Sequence, residues 1–204
     1  MTLETHLAES GLALMGLVGE DQQTIALLGP LEPDFWRRFT AAPEYRDGAP
    51  DPLDRYSKRV IGALATALNA RALFPSDGPP YPPFLDWARA SGRCHLSPVG
   101  LLVHDTAGLW LSFRGALRLP KRLPIPAAPP SPCATCAQPC RTACPVGALG
   151  AQEYDVAACH AWLDTPQGAP CMTTGCAVRR ACPVGATYGR LAAQSAFHMK
   201  AFHQ

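Results

Sequence analysis

The chain lacks most of what marks a secreted, membrane-spanning or nucleic-acid-binding protein. In its 204 residues no apolar run reaches the ~18 needed to cross a bilayer as a helix. The first twenty residues carry Glu4 and Glu9 ahead of the apolar run and no Lys or Arg. The basic start and the small-residue cleavage site of a secretory leader are therefore both missing. Charge is scarce at 17% of residues, and the formal net charge of +2 is too small to argue for nucleic acid. Also absent are a phosphate-cradling glycine loop, a recognisable nucleophile–base pair and a dinucleotide fingerprint. The 48% apolar content excludes wholesale disorder. What remains is a soluble, cytoplasmic protein with no membrane and no nucleic-acid partner.

Proline and cysteine mark out the chain. Prolines at 120, 124, 126, 129, 130 and 132 cannot sustain a helix or a central strand, so this stretch reads as an extended linker. Domains are accordingly expected at 1–120 and 133–204, joined by 121–132. Of nine cysteines, Cys94 stands alone, read as a buried free thiol, and the other eight lie between 133 and 182. In a reducing compartment such crowding points to metal or redox chemistry.

The first part reads as a mixed α/β sheet domain, so the expected class is α+β. Residues 3–10 suggest a short helix, and Leu12–Val18 and Thr24–Leu28 two strands joined by a turn. From Asp51 to Ala72, a helix-start signal precedes apolar residues at 53, 56, 60, 61, 64, 65 and 68, one helical stripe. Ser76–Pro83 reads as a loop and Phe84–Ala90 as one or two helical turns. Val99–His104 and Leu109–Phe113, separated by Asp105–Gly108, are expected to pair as a hairpin.

The second part repeats itself: Ala143–Ala148 and Ala181–Ala186 are both Ala-Cys-Pro-Val-Gly-Ala. Each copy ends a run of cysteines. The first run is Cys133-x2-Cys136-x3-Cys140-x3-Cys144-Pro145, and the second is Cys159, Cys171, Cys176 and Cys182-Pro183. Close thiolates on a tight loop let three sulfurs meet one cubane face, while the cysteine before proline serves the neighbouring cluster. That rule gives one [4Fe–4S] cluster to Cys133, Cys136, Cys140 and Cys182, and the other to Cys144, Cys159, Cys171 and Cys176. Two tetrahedral zinc ions, or disulfides, are the competing uses of eight cysteines, but the Cys-Pro closures belong to ferredoxins. Tyr188, Leu191, Ala192, Ser195, Met199 and Phe202 suggest the inner face of a closing helix. The nearby Arg141, Arg179, Arg180, Arg190 and Lys200 would offset the charge of thiolate-bound clusters.

The run CATCAQPCRTACPVGAL, the lone cysteine in YDVAACHAWL and a final set ending in Cys-Pro resemble the iron–sulfur domain of epoxyqueuosine reductases and reductive dehalogenases. The resemblance covers about residues 133–186, and the last set is spaced more widely than in those families. It implies a bacterial-type dicluster ferredoxin domain feeding electrons to a cobalamin. Residues 97–115, SPVGLLVHDTAGLWLSFRG, are similar to a stretch of the cobalamin-processing chaperone CblC, a nitroreductase-derived fold. That similarity implies His104, Trp110, Arg114 and Gly115 as cofactor-pocket candidates, for cobalamin or FMN, in a possible homodimer. Elementary readings stand beside it: a structurally bonded His104, a core Trp110, an Arg114 paired with a carboxylate. The expected function is electron transfer through two [4Fe–4S] clusters to a cofactor or redox partner protein. The alternative is a reductase of a corrinoid or flavin.

Overall fold

The computed structural model describes residues 2–150 and 153–203. Its first half runs α1 (Leu3–Glu9), β1 (Leu12–Glu20), β2 (Gln23–Pro30), α2 (Asp34–Ala41), α3 (Pro43–Arg46), α4 (Pro52–Ala67), β3 (Arg71–Leu73) and α5 (Phe84–Ala90). Then follow β4 (Cys94–Leu96), β5 (Leu102–His104), β6 (Gly115–Leu119), α6 (Val156–Leu163), α7 (Ala169–Thr174), α8 (Ala177–Arg180) and α9 (Ala192–Phe202). No helix among the described residues is long and apolar enough to cross a membrane. The chain divides into two compact units. One comprises the stretch up to Arg93 with Ser112–Pro129, the other Cys94–Leu111 with the stretch from Pro130 onward.

The first unit is a mixed α/β fold built on an antiparallel sheet of order β1-β2-β6-β3. Strands β1 and β2 form a hairpin in which Glu20 faces Gln23 and Asp21 takes the left-handed turn position at φ 52°. β2 is buried on both faces from Thr24 to Pro30, which an alternating strand would not be. Helices α2, α4 and α5 pack against the sheet strands and supply that cover. Burying Ile25, Leu27 and Leu28 completely is worth about 1.5–3 kcal/mol each. Helix α4 begins at Asp51-Pro52 and buries Leu53, Tyr56, Ile61, Leu64 and Ala65, the stripe expected from sequence. It stops short of Ala72. Asn69 turns left-handed at φ 49°, its N–H bonds to Thr66 and that of Ala70 to Ala65, a Schellman closure that releases Arg71–Leu73 to pair with β6. Helices α2 and α3 carry no sequence expectation; an edge-to-face cluster of Phe35, Trp36, Phe39, Tyr45 and Tyr56 holds them.

The expected hairpin of Val99–His104 with Leu109–Phe113 is not formed. The chain does reverse at Asp105–Gly108, where His104 and Gly108 exchange backbone hydrogen bonds at 3.0 Å each and Gly108 sits at φ 56°. β5, however, pairs with β4 in a separate two-stranded sheet. Leu109–Phe113 is not a strand, because Leu109 is buried among the cysteine-bearing loops and its carbonyl accepts from the Arg179 guanidinium. Cys94–Leu111 therefore folds with the cysteine-rich stretch, whereas a division at the prolines had placed it with the residues before them.

Around this small sheet, the second unit is short helices and 3₁₀ turns. The closing helix is present as α9, but its buried residues are Gln194 and Ser195, while Phe202 is exposed. Cys94 is buried at 3% exposure and opposite His104 in the β4–β5 ladder.

Candidate functional site

The thiols of the second unit stand on tight, non-repeating backbone. After Cys136 the chain takes a left-handed turn at Gln138 (φ 55°), and Pro139 starts the 3₁₀ turn that carries Cys140. The three-residue gap between Cys136 and Cys140 is absorbed there. The same turn brings the Gln138 N–H to Cys136 Sγ at 3.3 Å. In both copies of the repeat, the glycine N–H bonds back to the cysteine carbonyl, Gly147 to Cys144 at 3.2 Å and Gly185 to Cys182 at 3.1 Å. The Cys-Pro-Val-Gly turn is thus the local unit that the sequence repeats. Cys159 lies on α6, Cys171 on α7, and Cys176 caps α8 after Gly175 breaks the chain at φ 94°.

Mutual electrostatics sort these thiols into two sets. Burial pushes the Cys133 thiol above its ordinary pKa, and the neighbouring Cys136, Cys140 and Cys182 push it further. Burial also raises Cys140, reinforced by Cys182 and Cys136 and opposed by Arg141. Burial raises Cys159; a hydrogen bond from Tyr154 opposes this, and the charges of Cys176, Cys144 and Cys171 add to it. The groupings are Cys133, Cys136, Cys140 and Cys182, and Cys144, Cys159, Cys171 and Cys176. Each joins cysteines from both runs of the sequence.

Both sets back onto one apolar floor. Val99, Val103, Leu109, Leu149 and Val178 are buried with Cys140 and Cys182, and Cys133, Cys144 and Cys176 pack against them. Cys133, Cys136, Cys140 and Cys182 line a shallow recess with Val103, Leu109 and Val184, with only about 10 Å³ of free cavity between them. Side chains are excluded where the backbone crosses it: a Cβ on Gly108 would strike the Gly185 backbone and come within 2.9 Å of Cys182 Sγ.

Among the described residues no three His, Cys, Asp or Glu side chains are grouped to hold a single metal ion. Tetrahedral zinc with Zn–S near ~2.3 Å draws its sulfurs to within ~3.8 Å of one another. Thiolates on a cubane stand further apart because the Fe₄S₄ core lies between them. All-thiol sets, an apolar surround and donors on sulfur fit such a core.

Two residues at the second set carry more than sequence reading gave them. The Tyr154 hydroxyl donates to Cys159 Sγ at 3.4 Å. Its own pKa is driven up by burial, by that bond and by the charges of Cys159 and Cys176. Asp155 caps the start of α6 by accepting from the Ala158 N–H, which sets Tyr154 just ahead of the helix that carries Cys159. Arg179, named only as an offsetting charge, is depressed by burial, with Cys176 acting to restore it. The Ala148 N–H donates to Cys144 Sγ at 3.2 Å.

The cofactor-pocket candidates are not gathered within either unit. His104 and Trp110 belong to the cysteine-rich unit, Arg114 and Gly115 to the sheet unit. His104 is fully buried, and its Nδ1 accepts from the backbone N–H groups of Thr106 and Ala107 at 3.2 Å each. The Asp105 carboxylate lies 3.1 Å from the same nitrogen. This histidine pins the Asp105–Gly108 reversal. Trp110 lies under the Arg190 guanidinium, 5.4 Å from the ring centroid, and packs on Gly175 and Gly185. Gly115 is buried in β6, where an added Cβ would lie 2.8 Å from Ile61 and 3.1 Å from the Leu73 carbonyl. Arg114 lines a separate cavity of its own unit.

No protein-family model, curated protein or solved structure matches this chain.

Proposed function

We propose that the cysteine-rich unit holds two [4Fe–4S] clusters and that the protein transfers electrons through them. One cluster is assigned to Cys133, Cys136, Cys140 and Cys182, the other to Cys144, Cys159, Cys171 and Cys176. The observation that carries this reading is that Cys133, Cys136, Cys140 and Cys182, drawn from both cysteine runs, line one recess. When bound, such clusters supply one-electron redox chemistry at a potential set by hydrogen bonding and burial.

The chain's own residues do the remaining work. Burial and neighbouring thiolates raise Cys133, Cys140 and Cys159, so in the metal-free chain these hold protons that binding must displace. The apolar floor backs the sulfurs on one side, and Gln138 N–H, Ala148 N–H and the Tyr154 hydroxyl bond three of them. Arg141 and Arg179 place positive charge at Cys140 and Cys176. Electrons would leave for a cofactor or partner at the sheet unit, or for a separate redox protein.

The test is an absorption spectrum of anaerobically purified protein, before and after dithionite, followed by titration with hydroxocobalamin and with FMN. Broad visible absorption that bleaches on reduction supports the cluster reading. If neither cofactor spectrum is then perturbed, the protein is a carrier; a perturbed spectrum makes it a reductase of that cofactor. Absence of the bleaching band contradicts the reading.

A further inference from the structure

The sheet unit contains a cavity that the cluster reading does not use, and a largely buried arginine, Arg114, lines it. Asp54, Ser57 and Lys58 from the start of α4, Phe74, Pro75 and Ser76 after β3, and Phe113 and Arg114 before β6 enclose about 290 Å³. The walls are fixed. Arg114 N–H bonds the Leu28 carbonyl at 2.8 Å, and the Asp77 carboxylate accepts from Phe74 N–H at 2.9 Å, closing the 74–77 turn. Phe113 packs its ring on Phe84, with centroids 5.9 Å apart.

Three more exposed arginines of this unit meet carboxylates in full hydrogen bonds. Arg55 binds Asp47 twice at 2.7 Å, Arg118 meets Glu20 at 2.8 Å, and Arg59 grips Glu44. Their side chains are 27–54% exposed. Arg114 is only 16% exposed, yet its Nη1 stops 3.6 Å from Asp54, beyond hydrogen-bond reach, and only Nε has an acceptor, the Phe113 carbonyl at 3.1 Å. Burial lowers its pKa, so its charge stands desolvated without a close partner. Lys58, on the same wall, is also loosely held, 3.5 Å from Asp77. Asp54, the carboxylate nearest Arg114, is 53% exposed.

We infer that this cavity binds a phosphate group, free or as a small ester. Arg114 would meet two of its oxygens through the open Nη fork, Lys58 a third, and the exposed Ser76 hydroxyl would close the set. The Phe74 and Phe113 rings give an ester's organic part an apolar wall. A dianion suits two cations whose carboxylates stand at 3.5–3.6 Å better than a single carboxylate ligand does. The inference is independent of the clusters.

The experiment is calorimetric titration of the full chain with inorganic phosphate, glycerol 3-phosphate and acetate at constant ionic strength. Saturable binding of phosphate or the ester, but not acetate, is expected, and the tighter of the two identifies the source. Arg114→Gln should weaken it by more than about tenfold and Lys58→Ala by about threefold. Because Arg114 is largely buried, Lys58→Ala and Ser76→Ala decide the matter if Arg114→Gln does not fold. Binding of neither phosphate, equal binding of acetate, or affinity unchanged in the folded variants overturns the assignment.

Discussion

Tyr154→Phe is the sharpest probe of how this chain would tune a cluster. The substitution removes one hydroxyl, 3.4 Å from Cys159 Sγ, and keeps the ring that stacks on Phe202 with centroids 6.1 Å apart. Packing is therefore conserved, and the effect is electrostatic. A hydrogen bond to a charged acceptor is worth about 1.5–3 kcal/mol. It acts in both redox states, so only the increment gained when the cluster takes up a further negative charge shifts the potential. If that increment is about a third of the bond, it amounts to ~0.5–1 kcal/mol. With ~59 mV and ~1.36 kcal/mol each corresponding to a tenfold change for one electron, the potential should fall by ~20–45 mV. The sign follows from the donor stabilising the more negative, reduced state. Potentiometric titration followed by electron paramagnetic resonance reads both clusters separately. A fall confined to one of them is expected. No change within ~10 mV, a rise, or an equal shift in both would refute the reasoning.

Other outcomes follow from the same geometry. Cys144→Ser should strip iron from the set completed by Cys159, Cys171 and Cys176 and spare that of Cys133, Cys136 and Cys140, its neighbours in sequence; iron counting with paramagnetic resonance distinguishes the two losses. Gly108→Ala should damage the opposite set, since its new Cβ lies 2.9 Å from Cys182 Sγ and against the Gly185 backbone at a left-handed position. The same measurement should show the Cys182-containing cluster lost first. In the metal-free chain, Cys133, Cys140 and Cys159 are raised above their ordinary value of 9.0, chiefly by burial. The folded state thus holds those protons more tightly than the unfolded one. Their stabilisation is present below pH 9 and is lost as pH rises through the raised folded values. Melting temperature should decline across that window, and a flat or rising profile would contradict it. In the sheet unit, Ile61→Ala empties a fully buried position and should cost about 2–5 kcal/mol, measured by denaturant unfolding.

Legibility differed with the kind of interaction that decides each element. The α4 stripe could be read because burial of Leu53, Tyr56, Ile61 and Leu64 on one face imposes helical period. The hairpin β1–β2 was visible in the apolar runs either side of Asp21. α2 and α3 were not, since aromatic packing from α4 holds them and no local repeat announces it. Leu109–Phe113 looked like a strand by composition, but which partner takes Leu109's carbonyl is a tertiary matter, and Arg179 took it from seventy residues away. For the same reason the linker prolines could not reveal that Cys94–Leu111 packs with the thiols. The proposed grouping of the cysteines rests on the Cys-Pro at both closures, which carries a geometric rule. Tyr154 was not legible, as no pattern of residue types marks a hydroxyl one helical turn from a thiol. His104 serves locally, its ring committed to the turn that follows it.

The central claim is tested most directly by quantifying iron, acid-labile sulfide and zinc per chain after anaerobic purification. Two [4Fe–4S] clusters predict about eight irons and about eight sulfides with zinc absent. About two zincs per chain and no sulfide would contradict the account, because the eight thiols would then serve mononuclear tetrahedral sites.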